Sequence, residues 1–332
     1  MRVGVVGLGA VGTRAARQLA SSDDVDEVVA VDTRATRIRE VVASLGDRAV
    51  GALDPELHGL DVAAVVLAGP AGSHTELAAR HLAAGRHVVS VSDHVGDVQA
   101  LLGLDAAARA AERTVVVGAG FAPGLSCLLA RHASDRLDVV EEVHVAKVGT
   151  GGPECAREHH RALAARALDW RDGEWVERRG GSGRELCWFP DPVGARDCYR
   201  AALPDALLLV PWFPGVQRVT ARVGATRRDR LTARLPMLRP PHPEGTIGAI
   251  RVELRGKRRD ASEVVVLGAM DRPAVAAGAT AAVAAMWVAT GRWARPGATS
   301  LAGVPEPVDL LSELARRGVR AAIFEGVTPT QG

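Results

Sequence analysis

A chain of 332 residues with a formal net charge of +2 is long enough for two domains, and its charge gives no reason to invoke nucleic acid or an anionic membrane. Hydrophobic residues make up 47% and charged residues 24%, enough to bury a sizeable core, yet no apolar run approaches the roughly 20 residues that span a bilayer. The first residues enter a strand without the basic and apolar stretches of a secretory leader, and Cys127, Cys155, Cys187 and Cys198 form no CxxC pair. Reduced thiols in a cytoplasmic protein are therefore expected.

Arg2–Val6 predicts a short buried strand, and Gly7-Leu8-Gly9-Ala10-Val11-Gly12 follows it and opens an alanine-rich helix. Gly7 permits the tight turn, Gly9 lets the backbone approach a pyrophosphate, and Gly12 lets helix and strand pack closely. The phosphates would sit on the helix N-terminus, where free N–H groups favour anions. A second strand ends at Asp32, placed to accept hydrogen bonds from ribose hydroxyls, with Thr33 and Arg34 beside it. This order of elements predicts a site for NAD. Asp32 would repel a 2′-phosphate, whereas Arg34 and Arg37 keep NADP possible if Asp32 turns away.

Helix and strand continue to alternate to about residue 149: a helix at Thr36–Leu45, strands at Arg48–Ala52 and Asp61–Ala68, a helix at Ala71–Ala84, a strand at Arg86–Val91, a helix at Val95–Glu112, a strand at Thr114–Gly118 and a helix at Leu125–Arg136. This rhythm predicts an α/β fold, an N-terminal Rossmann doubly wound parallel sheet over residues 1–149. Glu142–Val148 alternates apolar and polar residues, as a strand leaving that sheet would. Residues 150–270 differ in character, with Trp170, Trp175, Trp188, Phe189, Tyr199, Trp212 and Phe213 close together and 21 Lys plus Arg against 14 Asp plus Glu in 151–260. Strands at Val216–Ala225, Thr246–Arg255 and Ser262–Leu267, separated by turns such as Arg239-Pro240-Pro241-His242-Pro243, predict an α+β substrate and dimerisation domain with a mostly antiparallel sheet. The aromatic cluster is either the core of that domain or a pocket lining that includes Trp188. Residues 271–332, with helices at Pro273–Thr290 and Asp309–Arg317 and a strand at Arg320–Phe324, are expected to return to the first domain.

Asp93 and His94 lie just past the carboxyl end of a strand, where the reactive ring of a bound dinucleotide would lie. An acid there can orient an ammonium and a histidine can exchange a proton. Asp93 also fits as the cap of the helix starting near Val95, and both roles stay open. His159, on a helix opening the second domain, is the third catalytic candidate. Arg161, Arg184 and Arg196 are candidates for holding a substrate carboxylate. Cys155 and His159, four apart, share a helical face and would begin a zinc site, but no third ligand has telling spacing, so no metal is expected.

At Val117-Gly118-Ala119-Gly120-Phe121-Ala122-Pro123-Gly124-Leu125-Ser126 the chain resembles the saccharopine dehydrogenase-like family, and within it lysine 6-dehydrogenase. Val66-Leu67-Ala68-Gly69-Pro70, the segment Gly72–Val91 with His74, and Gly303–Val319 are similar too. Of residues 150–270 only the loop around Gly151 and Gly152 matches. The resemblance implies a homodimer or larger assembly that moves a hydride between NAD(P) and an amine-bearing carbon of a small substrate carrying a carboxylate. Ala68, Gly69, Pro70, His74 and Gly120 would then line the cofactor site, and Gly151 and Gly152 the substrate site. The resemblance to the Gfo/Idh/MocA sugar and polyol dehydrogenases is weaker: their lysine after the fifth strand is missing from Ser90-Val91-Ser92-Asp93-His94. A dinucleotide-sensing protein without turnover is the alternative of another class.

Overall fold

Short runs of valine and alanine, apolar on both sides, form strands that helices cover from both faces. In the computed structural model, which describes residues 1–237, 240–243, 245–319 and 321–324, the first part of the chain runs β1 (Arg2–Val6), α1 (Ala10–Ala20), β2 (Glu27–Val31), α2 (Ala35–Leu45), β3 (Ala49–Ala52), β4 (Ala64–Leu67), α3 (His74–Ala83), β5 (His87–Ser90), α4 (Val95–Leu102), α5 (Asp105–Ala110), β6 (Thr114–Val116) and α6 (Leu125–Ser134). It continues with β7 (Val139–Val148), α7 (Pro153–Ala162), β8 (Arg166–Arg171), β9 (Glu174–Arg179), β10 (Glu185–Trp188), β11 (Ala195–Arg200), α8 (Asp205–Leu209), β12 (Arg218–Gly224) and α9 (Arg227–Thr232). The last elements are β13 (Gly248–Arg258), β14 (Ala261–Asp271), α10 (Pro273–Ala289), β15 (Gly297–Thr299), α11 (Pro307–Arg316) and β16 (Ala321–Phe324).

Two sheets result. The first, in the order β15-β6-β5-β4-β1-β2-β3, is parallel throughout and reverses direction between β1 and β4. A reversal of this kind leaves a crevice at the carboxyl ends of the strands. The second, in the order β10-β11-β12-β7-β13-β14-β16 with β8 and β9 branching from β12, is antiparallel except where β12 meets β7. The fold is therefore the α/β architecture expected: a doubly wound parallel sheet plus a mostly antiparallel one.

Three local expectations need correction. The helix expected over Val95–Glu112 is two helices, α4 and α5, parted at Gly103-Leu104. β7, inside the expected first domain of 1–149, is a central strand of the second sheet. The C-terminal strand pairs with β14 of that second sheet, and β15 is the strand that returns to the first sheet, beside β6. Arg239 of the expected turn and Arg320 of the expected strand lie outside the described residues.

The alanine-rich α10 has no polar face, and an all-apolar helix has to be buried all round. It lies against α1, β4 and β5, with every residue from Ala276 to Val288 buried. Gly278 makes this close approach possible: a Cβ there would stand 2.7 Å from Arg14 Cβ and 2.8 Å from the Ala15 amide nitrogen. Trp287 fixes the far end by donating from Nε1 to Glu313 Oε2 at 2.8 Å.

Two measurements follow from this packing. Gly278→Val overpacks the α1–α10 contact and should lower stability by roughly 1–3 kcal/mol, read by urea unfolding. Burial and the Arg86 guanidinium push His81 down to about 4, and burial and Arg113 do the same to His87, whose Nδ1 accepts from the Thr114 amide at 3.1 Å. Both rings are neutral in the fold while the unfolded chain takes up protons below about pH 6.5. Stability should be full above that pH and drain as pH falls toward 4, with a shallower slope in His87→Asn.

Candidate active site

At the reversal point the loop after β1 meets the loop after β4. Gly7 and Gly12 lie under this turn, and a Cβ on Gly12 would stand 1.8 Å from the Gly7 oxygen. Gly9 caps α1 without any side-chain acceptor, and apart from its own chain neighbours nothing lies within 4 Å of where its Cβ would be. The first-turn amides and the space above Gly9 form a cradle that fits a pyrophosphate.

Asp32 closes the ribose end. Its Oδ2 accepts from the Leu8 amide at 2.9 Å, and its Oδ1 accepts from the Arg34 amide at 3.0 Å and from Arg34 Nε at 3.1 Å. Burial works against the charge, but the Arg34 and amide hydrogen bonds outweigh it and hold the carboxyl below its ordinary value. Arg37, the second cation considered for a 2′-phosphate, donates instead to the Leu8 oxygen at 2.8 Å and to Thr13 Oγ1 at 2.9 Å. Thr33 is exposed and does not line the cleft.

The cleft has a volume of about 450 Å³ and runs from this cradle between the two sheets. Gly9, Ala10, Val11, Arg34, Ala68, Gly69, Pro70 and Gly120 line it from the first sheet's loops, and Gly151 and Gly152 from the loop after β7. His74 sits beneath this wall, 1% exposed. Its Nε2 pairs with the Gly69 oxygen at 3.0 Å and its Nδ1 with Ser90 Oγ at 2.8 Å, and burial lowers its basicity. It positions the Gly69 loop and does not face the cleft.

At the far end four side chains converge. Asp93 follows β5, Lys147 projects from β7, and Cys155 and His159 lie one turn apart on α7. His159 Nε2 stands 3.1 Å from Asp93 Oδ2 and 3.6 Å from Cys155 Sγ, and that sulfur lies 3.9 Å from the same oxygen. Lys147 Nζ donates to the Ala122 oxygen at 2.6 Å and lies 3.7 Å from Asp93 Oδ2. Burial opposes the Asp93 charge, but the His159 hydrogen bond and the Lys147 ammonium hold the carboxyl well below the carboxylate range. At His159 burial acts against protonation, while the adjoining Cys155 sulfur and the Asp93 hydrogen bond raise the ring to about 9. Behind them burial raises Asp205, which accepts from Ser126 Oγ at 2.9 Å.

Other sequence candidates lie elsewhere. His94, not Asp93, caps α4, its ring nitrogen accepting from the Asp97 amide. Arg161, which does not line the cleft, pairs with Glu158, which does, and Arg184 pairs with Asp197. Arg196 donates to its neighbour's oxygen. Trp188 is 64% exposed on β10, and none of the seven clustered aromatics lines the cleft; Tyr199, Phe189 and Phe213 are core residues. Lys147 was not among the sequence candidates. It is one of only two lysines, with Lys257, among 41 cationic residues, and that rarity was the available signal. Asp93 supplies the third atom that spacing did not offer to Cys155 and His159.

Residues 1–121 match the GFO_IDH_MocA family, an oxidoreductase family with an NAD-binding Rossmann fold. Among solved structures, a saccharopine dehydrogenase (L-Glu forming) from Saccharomyces cerevisiae superposes with a TM-score of 0.71 at 16% identity, over 98% of this chain and 100% of that one. A meso-DAP dehydrogenase variant from Clostridium tetani, solved with DAP, gives 0.52 at 17% identity over 94% and 95%. A probable dehydrogenase from Thermotoga maritima gives 0.51 at 14% over 97% and 98%. At these identities the likeness is one of fold. Residues 1–121 are an NAD-binding Rossmann domain of the oxidoreductase type, and the model they match is that of the group to which the sequence resemblance is the weaker.

Replacing Asp32 tests the ribose end. Hydrogen bonds to a charged group contribute about 1.5–3 kcal/mol. Asp32→Ala should therefore weaken NAD roughly tenfold to a hundredfold while leaving NADP binding unchanged or improved, measured by calorimetric titration of both.

Proposed function

We propose that the chain is an NAD(P)-dependent dehydrogenase that moves a hydride between the nicotinamide and the amine- or imine-bearing carbon of an amino acid or related amine. One observation carries this reading: the Asp93 carboxylate, with His159 3.1 Å away, lies in the same cleft as the dinucleotide cradle. The cofactor supplies the hydride acceptor or donor. The Asp93 carboxylate holds a substrate ammonium by charge, and His159 Nε2 is placed to exchange its proton. Lys147 lies 3.7 Å from Asp93 Oδ2 and steadies its charge, and Phe121, Pro273 and Ala277 give the cleft wall apolar surface. The saccharopine and DAP dehydrogenases, both named for amino-acid substrates, support the class of substrate. A carboxylate on the substrate, a cytoplasmic location and a homodimer belong to the same reading. Exposed Leu186 and Trp188 on the edge strand β10 are compatible with the dimer.

A second reading, a sugar or polyol dehydrogenase, is favoured by one observation. The lysine missing after β5 is replaced in space by Lys147, which reaches Asp93 from β7. The family match over residues 1–121 points the same way.

Incubation with NAD or NADP and a panel of L-amino acids, diamines and polyols, followed by the absorbance of reduced nicotinamide, separates the two. Turnover of an amine that falls about a hundredfold or more in Asp93→Asn, in line with the loss of a positioned acid–base group, supports the first reading. Turnover of polyols alone, lost in Lys147→Met, supports the second. NAD binding without turnover of any amine overturns the first, and binding without turnover of either class leaves a dinucleotide sensor.

A further inference from the structure

Three donor atoms of three different kinds meet at one point of the cleft. Cys155 Sγ, His159 Nε2 and Asp93 Oδ2 stand 3.6, 3.1 and 3.9 Å apart in turn. Hydrogen bonds from the Cys155 thiol and from His159 Nε2 both end on Asp93 Oδ2, which leaves the Cys155–His159 edge without a hydrogen of its own. A cation among them satisfies all three. With metal–sulfur bonds of about 2.3 Å and metal–nitrogen or metal–oxygen bonds of about 2.0–2.1 Å, the edges of a tetrahedral zinc site come to roughly 3.3–3.6 Å. The three separations fall within about 0.4 Å of those edges before any adjustment around an ion.

We propose that Asp93, Cys155 and His159 bind one divalent transition metal ion, zinc by donor set, with a fourth position open to the cleft. Sulfur, imidazole and carboxylate together select zinc over magnesium or calcium, which prefer oxygen alone. Three protein ligands with an open position are the pattern of catalytic sites, whereas structural zinc is closed by four. Among the described residues no other trio of His, Cys, Asp and Glu atoms converges in this way. The ligands come from firm supports: Cys155 and His159 from adjacent turns of α7, and Asp93 from the end of β5. Lys147 acts from outside. Its ammonium rests on the Ala122 oxygen and lies 3.7 Å from Asp93 Oδ2, beyond bonding distance, as an outer partner of a ligating carboxylate. The open position faces the part of the cleft where a substrate nitrogen or oxygen would lie beside the nicotinamide. Metal binding does not depend on which substrate the chain turns over. An ion on Asp93 Oδ2 and His159 Nε2 would, however, occupy the atoms given above to the substrate ammonium and its proton, so in the loaded protein the open metal position would take the substrate in their place.

Cobalt is the probe, because its spectrum reports both thiolate ligation and geometry. The full-length protein, stripped with a chelator and titrated with Co²⁺, should bind about one ion per chain. It should show a thiolate-to-cobalt charge-transfer band in the near ultraviolet and intense ligand-field bands of four-coordinate cobalt, both displaced by Zn²⁺. Cys155→Ser should abolish the charge-transfer band, and Asp93→Asn and His159→Gln should each weaken Co²⁺ uptake about a hundredfold. His160→Gln, one residue along the helix and paired with the Leu235 oxygen, should bind like the parent. Circular dichroism of each variant establishes that it is folded, and the parent protein alone already decides the main point. Absence of the charge-transfer band in the parent at millimolar Co²⁺, or its persistence in Cys155→Ser, overturns the proposal.

Discussion

The arrangement of this molecule depends on a charge withdrawn from water at the end of β5. Asp93 is largely removed from solvent, and no cation of the first sheet reaches it. Its partners are Lys147 on β7 and His159 on α7, both from the second sheet and its first helix. The lysine is in the same position: 2% exposed, its ammonium rests on the Ala122 oxygen and approaches Asp93. Losing one partner of a buried pair typically costs roughly 3–5 kcal/mol, because the remaining charge is stranded. The two sheets are thus held together where the cleft between them is to act.

The dinucleotide end is organised by a different rule. There the protein satisfies its own groups and leaves the cradle free. Asp32 is held by the Leu8 and Arg34 amides, Arg37 is occupied with the Leu8 oxygen and Thr13, and His74 holds the Gly69 loop from below. The open space above Gly9 and the unfilled first turn of α1 remain for an anion. α10 backs this region, its alanines and Gly278 allowing it to press against α1.

Local chemistry was easy to read where it depended on neighbours in the chain. The strand, glycines, helix and acid of the first 32 residues form one supersecondary unit, so their spacing predicts their contacts. Reading Asp93 from its place after a strand was possible for the same reason. Arg161 and Trp188 were harder, because a helix or strand has two sides and their residue type did not say which one faced the cleft. Arg161 stands beside the cleft and pairs with Glu158 of its wall, and Trp188 stands on the exposed face of an edge strand. His94 was misjudged over a single position, since either it or Asp93 fits a helix cap. In a chain that uses arginine almost everywhere, a lysine in a strand of alternating apolar and polar residues was the signal that went unused.

The sequence by itself determined the parallel sheet, the cradle and the acid at the end of β2, because hydrophobic period and glycine spacing act within a few tens of residues. Only the tertiary structure decided which side chains share the far end of the cleft. Asp93, Lys147, Cys155 and His159 are separated by up to 66 residues and belong to two sheets, so no local pattern relates them. They meet because β7 runs through the middle of the second sheet and delivers both its own lysine and the helix that follows it to the end of β5.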